Sequence, residues 1–167
     1  MASTPTPAAR VRILPATPAD VPVILELIKA LAEFERLSHL VVATEALLRE
    51  ALFGAQPKAE VVLAWHEEKP VGFALFYHNF STFLGRQGLY LEDLFVRPEA
   101  RGLGIGKALL LHLGALAKAR NCGRYEWAVL DWNEHAIGFY KNLGAEPLSD
   151  WTLMRVTGPA LDRLTEK

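Results

Sequence analysis

The chain has 167 residues, of which 51% are hydrophobic and 22% charged, and its net charge is −1. That length suits one domain with a proper core. The balanced charge excludes an overall basic field for nucleic acid or anionic lipid, so any phosphate site has to be local.

Residues 1–10 are rich in Ala, Thr and Pro and lack the apolar stretch of a secretory signal; they read as a disordered lead-in to a single domain over 11–167. Residues 11–14 form a short apolar run, the first expected strand. Thr17-Pro18-Ala19-Asp20 then has the form of a helix start, with Thr17 as N-cap, Pro18 first in the helix and Asp20 near the positive end of the dipole. Ile24, Leu27, Ile28 and Leu31 follow at helical spacing on one apolar face, carrying that helix to about Phe34. Thr44 is placed to cap a second helix running through Phe53 and closed by Gly54 and Pro57.

Residues 60–65 and 71–77 are β-prone runs joined by Glu67-Glu68-Lys69-Pro70, a hairpin signal. Residues 79–88, with two glycines and Ser-Thr, read as a longer loop. Residues 89–96 are apolar on both alternating faces, as in a central strand, and Pro98 ends it. A helix over 104–119, a strand over 125–130, a short helix over 133–142 closed by Gly144, and a last strand over 151–156 complete the order. The pattern β-α-α-β-β-β-α-β-α-β combines an antiparallel hairpin with parallel crossovers, which predicts an α/β fold: a mixed sheet with helices on both faces.

Between the strand ending at Val96 and the next helix stands Arg101-Gly102-Leu103-Gly104-Ile105-Gly106-Lys107. A strand, a glycine-rich turn and a helix N-terminus make an anion site, because unpaired N–H groups and the helix dipole point at the ligand. Glycine lets the backbone come close. Arg101 adds a donor that can bind phosphate bidentately. The dinucleotide fingerprint fails here, since Lys107 or Leu109 stands where its third glycine belongs. A P-loop fails as well: Ala108 follows Gly106-Lys107, and Arg101 occupies the first glycine position.

Arg-x-x-Gly-x-Gly, placed between a central strand and a helix, resembles the acetyl-CoA loop of the GCN5-related N-acetyltransferase (GNAT) superfamily. Tyr90-Leu91-Glu92-Asp93-Leu94-Phe95-Val96, Asp131-Trp132-Asn133 through Phe139-Tyr140, and the first helix through Phe34-Glu35 extend the likeness over nearly the whole chain from Val11. They are similar to the diamine branch of that superfamily, the spermidine/spermine and thialysine acetyltransferases. The resemblance implies a mostly antiparallel sheet whose central strands splay apart. It implies acetyl transfer from acetyl-CoA to the primary amine of a small molecule by direct attack in a ternary complex, and a homodimer. A protein or peptide (lysine or N-terminal) acetyltransferase shares this chemistry, and an acyl-CoA-binding module without catalysis would keep only the glycine loop.

An alkyl amine has a pKa near 10.4 and must lose a proton before it attacks. Glu92 and Asp93 are costly in an apolar strand unless they have a role. They point to opposite faces of a regular strand, and a bulge would re-aim one of them. A pocket carboxylate of raised pKa can take the amine's proton; equally, both acids could be structural, held by backbone N–H or arginine. The resemblance makes Glu92 the proton acceptor and Asp93 a partner that holds the amine. It assigns the backbone of Leu94, Phe95 and Val96 to the coenzyme's pantetheine arm, with a main-chain N–H near Leu94 as oxyanion donor. It gives the diphosphate to 101–107 and protonation of the leaving thiolate to Tyr140, a residue that would otherwise read as a core aromatic.

Asn133, seven residues before Tyr140 and on about the same side of its helix, fits a helix cap and a pantetheine contact. Glu35 beside Phe34 resembles an acidic amine-binding position, or is a solvated helix-end acid. Ser81-Thr82-Phe83 replaces the acidic loop of the polyamine enzymes and, with Phe83 as a substrate contact, favours a small or lysine-like amine over spermine. His39, His66, His78, His112 and His135 show no metal-ligand spacing with Cys122 or one another, so no metal is expected. Cys122, the only cysteine, excludes an intramolecular disulfide and suits a reducing compartment, from which a cytoplasmic location is expected. No apolar run reaches the ~18–20 residues of a membrane span, so no membrane partner is expected.

Overall fold

In the computed structural model, which describes residues 11–165, five strands form one sheet in the order β1-β2-β3-β4-β5. β1 (Arg12–Pro15), β2 (Glu60–His66), β3 (Lys69–Ser81) and β4 (Arg86–Val96) are antiparallel to their neighbours. β5 (Tyr125–Trp127) lies parallel to β4, because the helix α3 (Ile105–Ala119) carries the chain back across the sheet. The sheet is therefore mixed and mostly antiparallel. These elements form one unit of the chain, up to Ala128; a second unit begins at Val129. Residues 1–10, the expected lead-in, lie outside the described residues.

A 3-10 turn, Pro18–Asp20, precedes α1 (Val21–Phe34), so the helix proper opens three residues later than its Thr-Pro signal suggests. The Asp20 carboxylate accepts from the Thr17 N–H at 2.7 Å, which ties the turn down. Ile24, Leu27 and Leu31 of α1, with Leu52 of α2 (Glu45–Phe53), pack on Val61, Leu63, Phe73 and Phe95 of the sheet. Burying each such side chain contributes about 1.5–3 kcal/mol. α3 buries Ile105, Leu109, Leu110 and Leu113, and Arg120 just past its end lies over the Phe76 ring, 5.9 Å from its centroid. Phe76 and its partner Leu91 share one face of the sheet, while Leu75 and Phe73 take the other, so helices cover both faces.

Other segments also differ from the sequence reading. Residues 79–88 are mainly strand: β3 and β4 pair out to Ser81 and Arg86, leaving a four-residue turn. That turn is fixed by the buried Ser81 hydroxyl, which accepts from the Leu84 N–H at 3.2 Å, and by Gly85 at φ +64°. The strand expected over 125–130 stops at Trp127, because its ladder with β4 runs only from Leu89 to Leu91. Residues 151–156 form no strand: they join no ladder among the described residues, and apolar alternation without a partner makes no sheet. The hairpin at 67–70 turns on two residues alone, Glu67 and Glu68, at φ +48° and +62°.

In the second unit, α4 (Glu134–Asn142) is followed by Gly144 at φ +91°, and α5 (Pro159–Arg163) is a short terminal helix. Asn133 caps α4, its side-chain oxygen accepting from the Ala136 N–H at 3.2 Å.

Candidate functional site

The β3–β4 ladder carries one irregularity. Leu75 pairs with Asp93 and Phe76 with Leu91, so β4 holds one extra residue, Glu92, across that rung. Opposed residues share a face. The bulge therefore turns Asp93 to the face of Leu75, toward the end of α1, whereas unbroken alternation would leave it on the α3 side with Leu91. Glu92, the surplus residue, stays exposed.

The consequence is electrostatic. Burial, then the neighbouring charges of Glu92 and Glu35, push the Asp93 carboxyl up to about 6. Burial also raises Glu35, just past the end of α1. Among the described residues no lysine or arginine forms an ion pair with Glu35, Glu92 or Asp93. Tyr77 belongs to the same neighbourhood: burial first, then the Glu92 charge and Tyr90, hold its phenol above the ordinary value.

Beyond Asp93, β4 runs on through Leu94, Phe95 and Val96 after its ladder with β5 has ended at Leu91. Leu94 and Val96 are half-buried; Phe95 is core, so only its main chain can serve a ligand. The strand leads into the glycine turn. Gly102 and Gly104 sit at φ +81° and +75°, and an added Cβ at either would meet nothing within 4 Å. Backbone angle, then, and not crowding, demands glycine there.

Gly104 brings no capping side chain to α3, and the first turn holds no acid. That leaves N–H groups and the dipole directed at an anion approaching from outside. Lys107 is exposed on the first turn, while Ile105 is buried and can offer only its backbone. The turn thus fits a diphosphate. Arg101 is placed beside it: its Nε donates to the Val96 carbonyl at 3.2 Å, and its guanidinium lies over Phe34, 4.8 Å from the ring centroid, and 5.8 Å from that of Phe95. This joins the loop to the end of α1, where Glu35 follows Phe34.

The structure thus brings together in the first unit the acids, the β4 residues past its ladder with β5, the glycine turn and Phe34-Glu35. Phe83 stands apart at the tip of the β3–β4 hairpin, 98% exposed. Asn133 and Tyr140 belong to the second unit. There burial raises the Tyr140 phenol, whose ring centroid is 5.6 Å from that of Phe139. The sequence reading passed over Tyr77, which looked like one more residue of a strand; a tyrosine in an apolar run was the available signal.

A family model described as the acetyltransferase (GNAT) family matches residues 25–145. A thialysine N-epsilon-acetyltransferase of Mus musculus is 39% identical, covering 93% of this chain and 98% of its own length. An L-ornithine N5-acetyltransferase of Arabidopsis thaliana is 36% identical, covering 92% of this chain and 87% of its own. Among solved structures, an integron cassette protein from the mobile metagenome of V. cholerae matches with TM-score 0.79 and 27% identity, over 94% of this chain and 98% of that one.

Proposed function

Because this chain belongs to the acetyltransferase (GNAT) family, we propose that it moves the acetyl group of acetyl-CoA to a primary amine on a small diamine or lysine-like substrate. It is an enzyme, an acetyltransferase acting on an amine. The thialysine and ornithine relatives support a substrate that carries its amine on an alkyl chain. One observation carries the reading: a half-buried carboxyl, turned by a bulge to a face where, among the described residues, no lysine or arginine pairs with it, beside a strand edge and a turn fit for a diphosphate.

The proposed roles are supported by these positions in the first unit and, for Asn133 and Tyr140 of the second, by the family match. The first-turn N–H groups of α3, Arg101 and the glycines of 102–106 hold the coenzyme's diphosphate, with Leu103 and Lys107 at its rim. The backbone of Leu94, Phe95 and Val96 lies along its pantetheine arm, with Asn133 as a further contact. Bound there, acetyl-CoA supplies the activated acyl group. Asp93, with a carboxyl near 6, is ionised at neutral pH yet basic enough to take a proton from an ammonium. Exposed Glu92 draws the cationic substrate in and is the alternative acceptor. Glu35 and Phe34 contribute to amine binding, whereas Phe83, 98% exposed at the hairpin tip, lies apart from them in this chain. The Tyr140 phenol, kept protonated by burial, gives its proton to the leaving sulfur. The amine attacks directly, with no acyl-enzyme.

The family match spans the division at Ala128 and Val129, which supports one catalytic domain over 11–167. The exposed apolar side chains of the second unit, with Trp151 at 80%, support a homodimer that sedimentation will detect. The single cysteine supports a cytoplasmic setting.

The decisive experiment follows free thiol in mixtures of protein, acetyl-CoA and lysine, thialysine, ornithine, putrescine or spermidine, with lysine peptides as a further arm. Release with the small amines is expected. Release with peptides alone would move the substrate class to proteins, and binding of acetyl-CoA without release would leave a non-catalytic module. In the same assay, Tyr140→Phe is expected to lower kcat about tenfold or more while leaving the KM for acetyl-CoA unchanged.

A further inference from the structure

The face that receives Asp93 carries an aromatic pair one rung further along. The register sets three opposed pairs on it in succession: Phe73 with Phe95, Leu75 with Asp93, and Tyr77 with Tyr90. Phe73 and Phe95 belong to the core under α1. Tyr77 and Tyr90 are only half-buried, their ring centroids 5.2 Å apart and their planes inclined by 36°. Successive rungs on one face stand about 7 Å apart along a strand. A substrate amine held at Asp93 can therefore lay its carbon chain over these two rings. The rings suit that part: their area covers methylene groups, and their faces attract a cation. The Glu92 charge, close enough to act on the Tyr77 phenol, places an acid at the edge of the same wall.

We infer that the Tyr77–Tyr90 pair determines specificity, forming the wall against which the substrate's alkyl chain packs and so favouring amines borne on several methylenes over short ones. The inference rests on the amine-acetylating reading above and names the group that selects within that class. Leu75, opposite Asp93 on the same rung, adds apolar surface beside the acid.

The test compares the wild type with Tyr77→Leu and Tyr77→Phe, measuring thiol release with linear diamines of increasing chain length. Tyr77→Leu is expected to raise the KM for the longest diamine about tenfold. It should leave the KM for the shortest diamine and for acetyl-CoA unchanged, and Tyr77→Phe, which keeps the ring, should restore the wild-type pattern. If Leu at this position prevents folding, Tyr90→Leu removes the other ring and has to give the same chain-length dependence. A KM that is unmoved in these variants, or raised equally for every amine and for acetyl-CoA, would overturn the wall while leaving the reaction intact. No thiol release by the wild type with any amine would overturn the reaction, and the wall with it.

Discussion

Glu60 and Asp93 lie on opposite faces of one sheet, and their carboxyls are displaced in opposite directions. Glu60 shares the face of Phe76, where Arg120 reaches both of its oxygens, the second at 2.8 Å. That hydrogen-bonded pairing, outweighing partial burial, holds Glu60 below the usual carboxylate range. Asp93, on the α1 face, has Glu35 and Glu92 near it, and burial with their charge drives it up to about 6. One surface acid is satisfied by an arginine, while Glu35, Glu92 and half-buried Asp93 form no ion pair among the described residues, which supports the proposed cation site.

The largest effect should come from removing the less satisfied acid. Asp93→Asn is expected to lower kcat/KM for the amine about 100-fold at neutral pH. The wild type's rise in activity through pH ~6, which follows from the carboxyl having to ionise before it accepts a proton, should vanish with it. If Glu92→Gln abolishes that limb and Asp93→Asn keeps it, the two acids exchange roles.

Next is stability, where the sign is opposite to activity. Folding raises Asp93 from 3.8 to about 6, so the native state binds its proton more tightly than the unfolded chain. Its contribution is therefore best at low pH and is lost as pH climbs from 3.8 through about 6. Asn, which cannot ionise, should stabilise the protein by about 2–3 kcal/mol at pH 7.5 and give no gain at pH 3.5, as denaturant melts at the two values will report. The smallest effect belongs to the compensated face. Glu60→Gln breaks a partly exposed pair and should cost no more than about 1 kcal/mol, less in high salt, with acetyl transfer unchanged.

Much of this was readable in the residues. Thr44 caps α2 by accepting from the Leu47 N–H at 3.2 Å, and Asn133 caps α4, because a cap is a local arrangement of neighbours in sequence. Gly104 likewise stands where the glycine motif put a helix N-terminus, capping α3 with a left-handed backbone. What escaped depends on distant partners. Asn79, Ser81 and Gly88 look like loop residues, yet they are strand because a facing chain supplies their ladder. Residues 151–156 look like strand, and among the described residues no facing chain makes them one. Which of two adjacent acids is buried was likewise undecidable along β4 alone, since it turns on how Leu75 and Phe76 count off against it.

That count has an evolutionary side. Glu92 works as a phase shift: upstream of it β4 is in one frame, and downstream in the other, with Asp93 and Phe95 both on the later frame. Deleting this single position would leave Leu91 opposite Phe76 and Asp93 opposite Leu75 in an unbroken ladder, so Asp93 and Phe95 would keep their faces and only the surplus acid and its bulge would go. A deletion just past it is different: losing Leu94 with the bulge kept would turn Phe95 to the α3 side and out of the core under α1, so this strand can contract by one residue at the bulge and not beyond it.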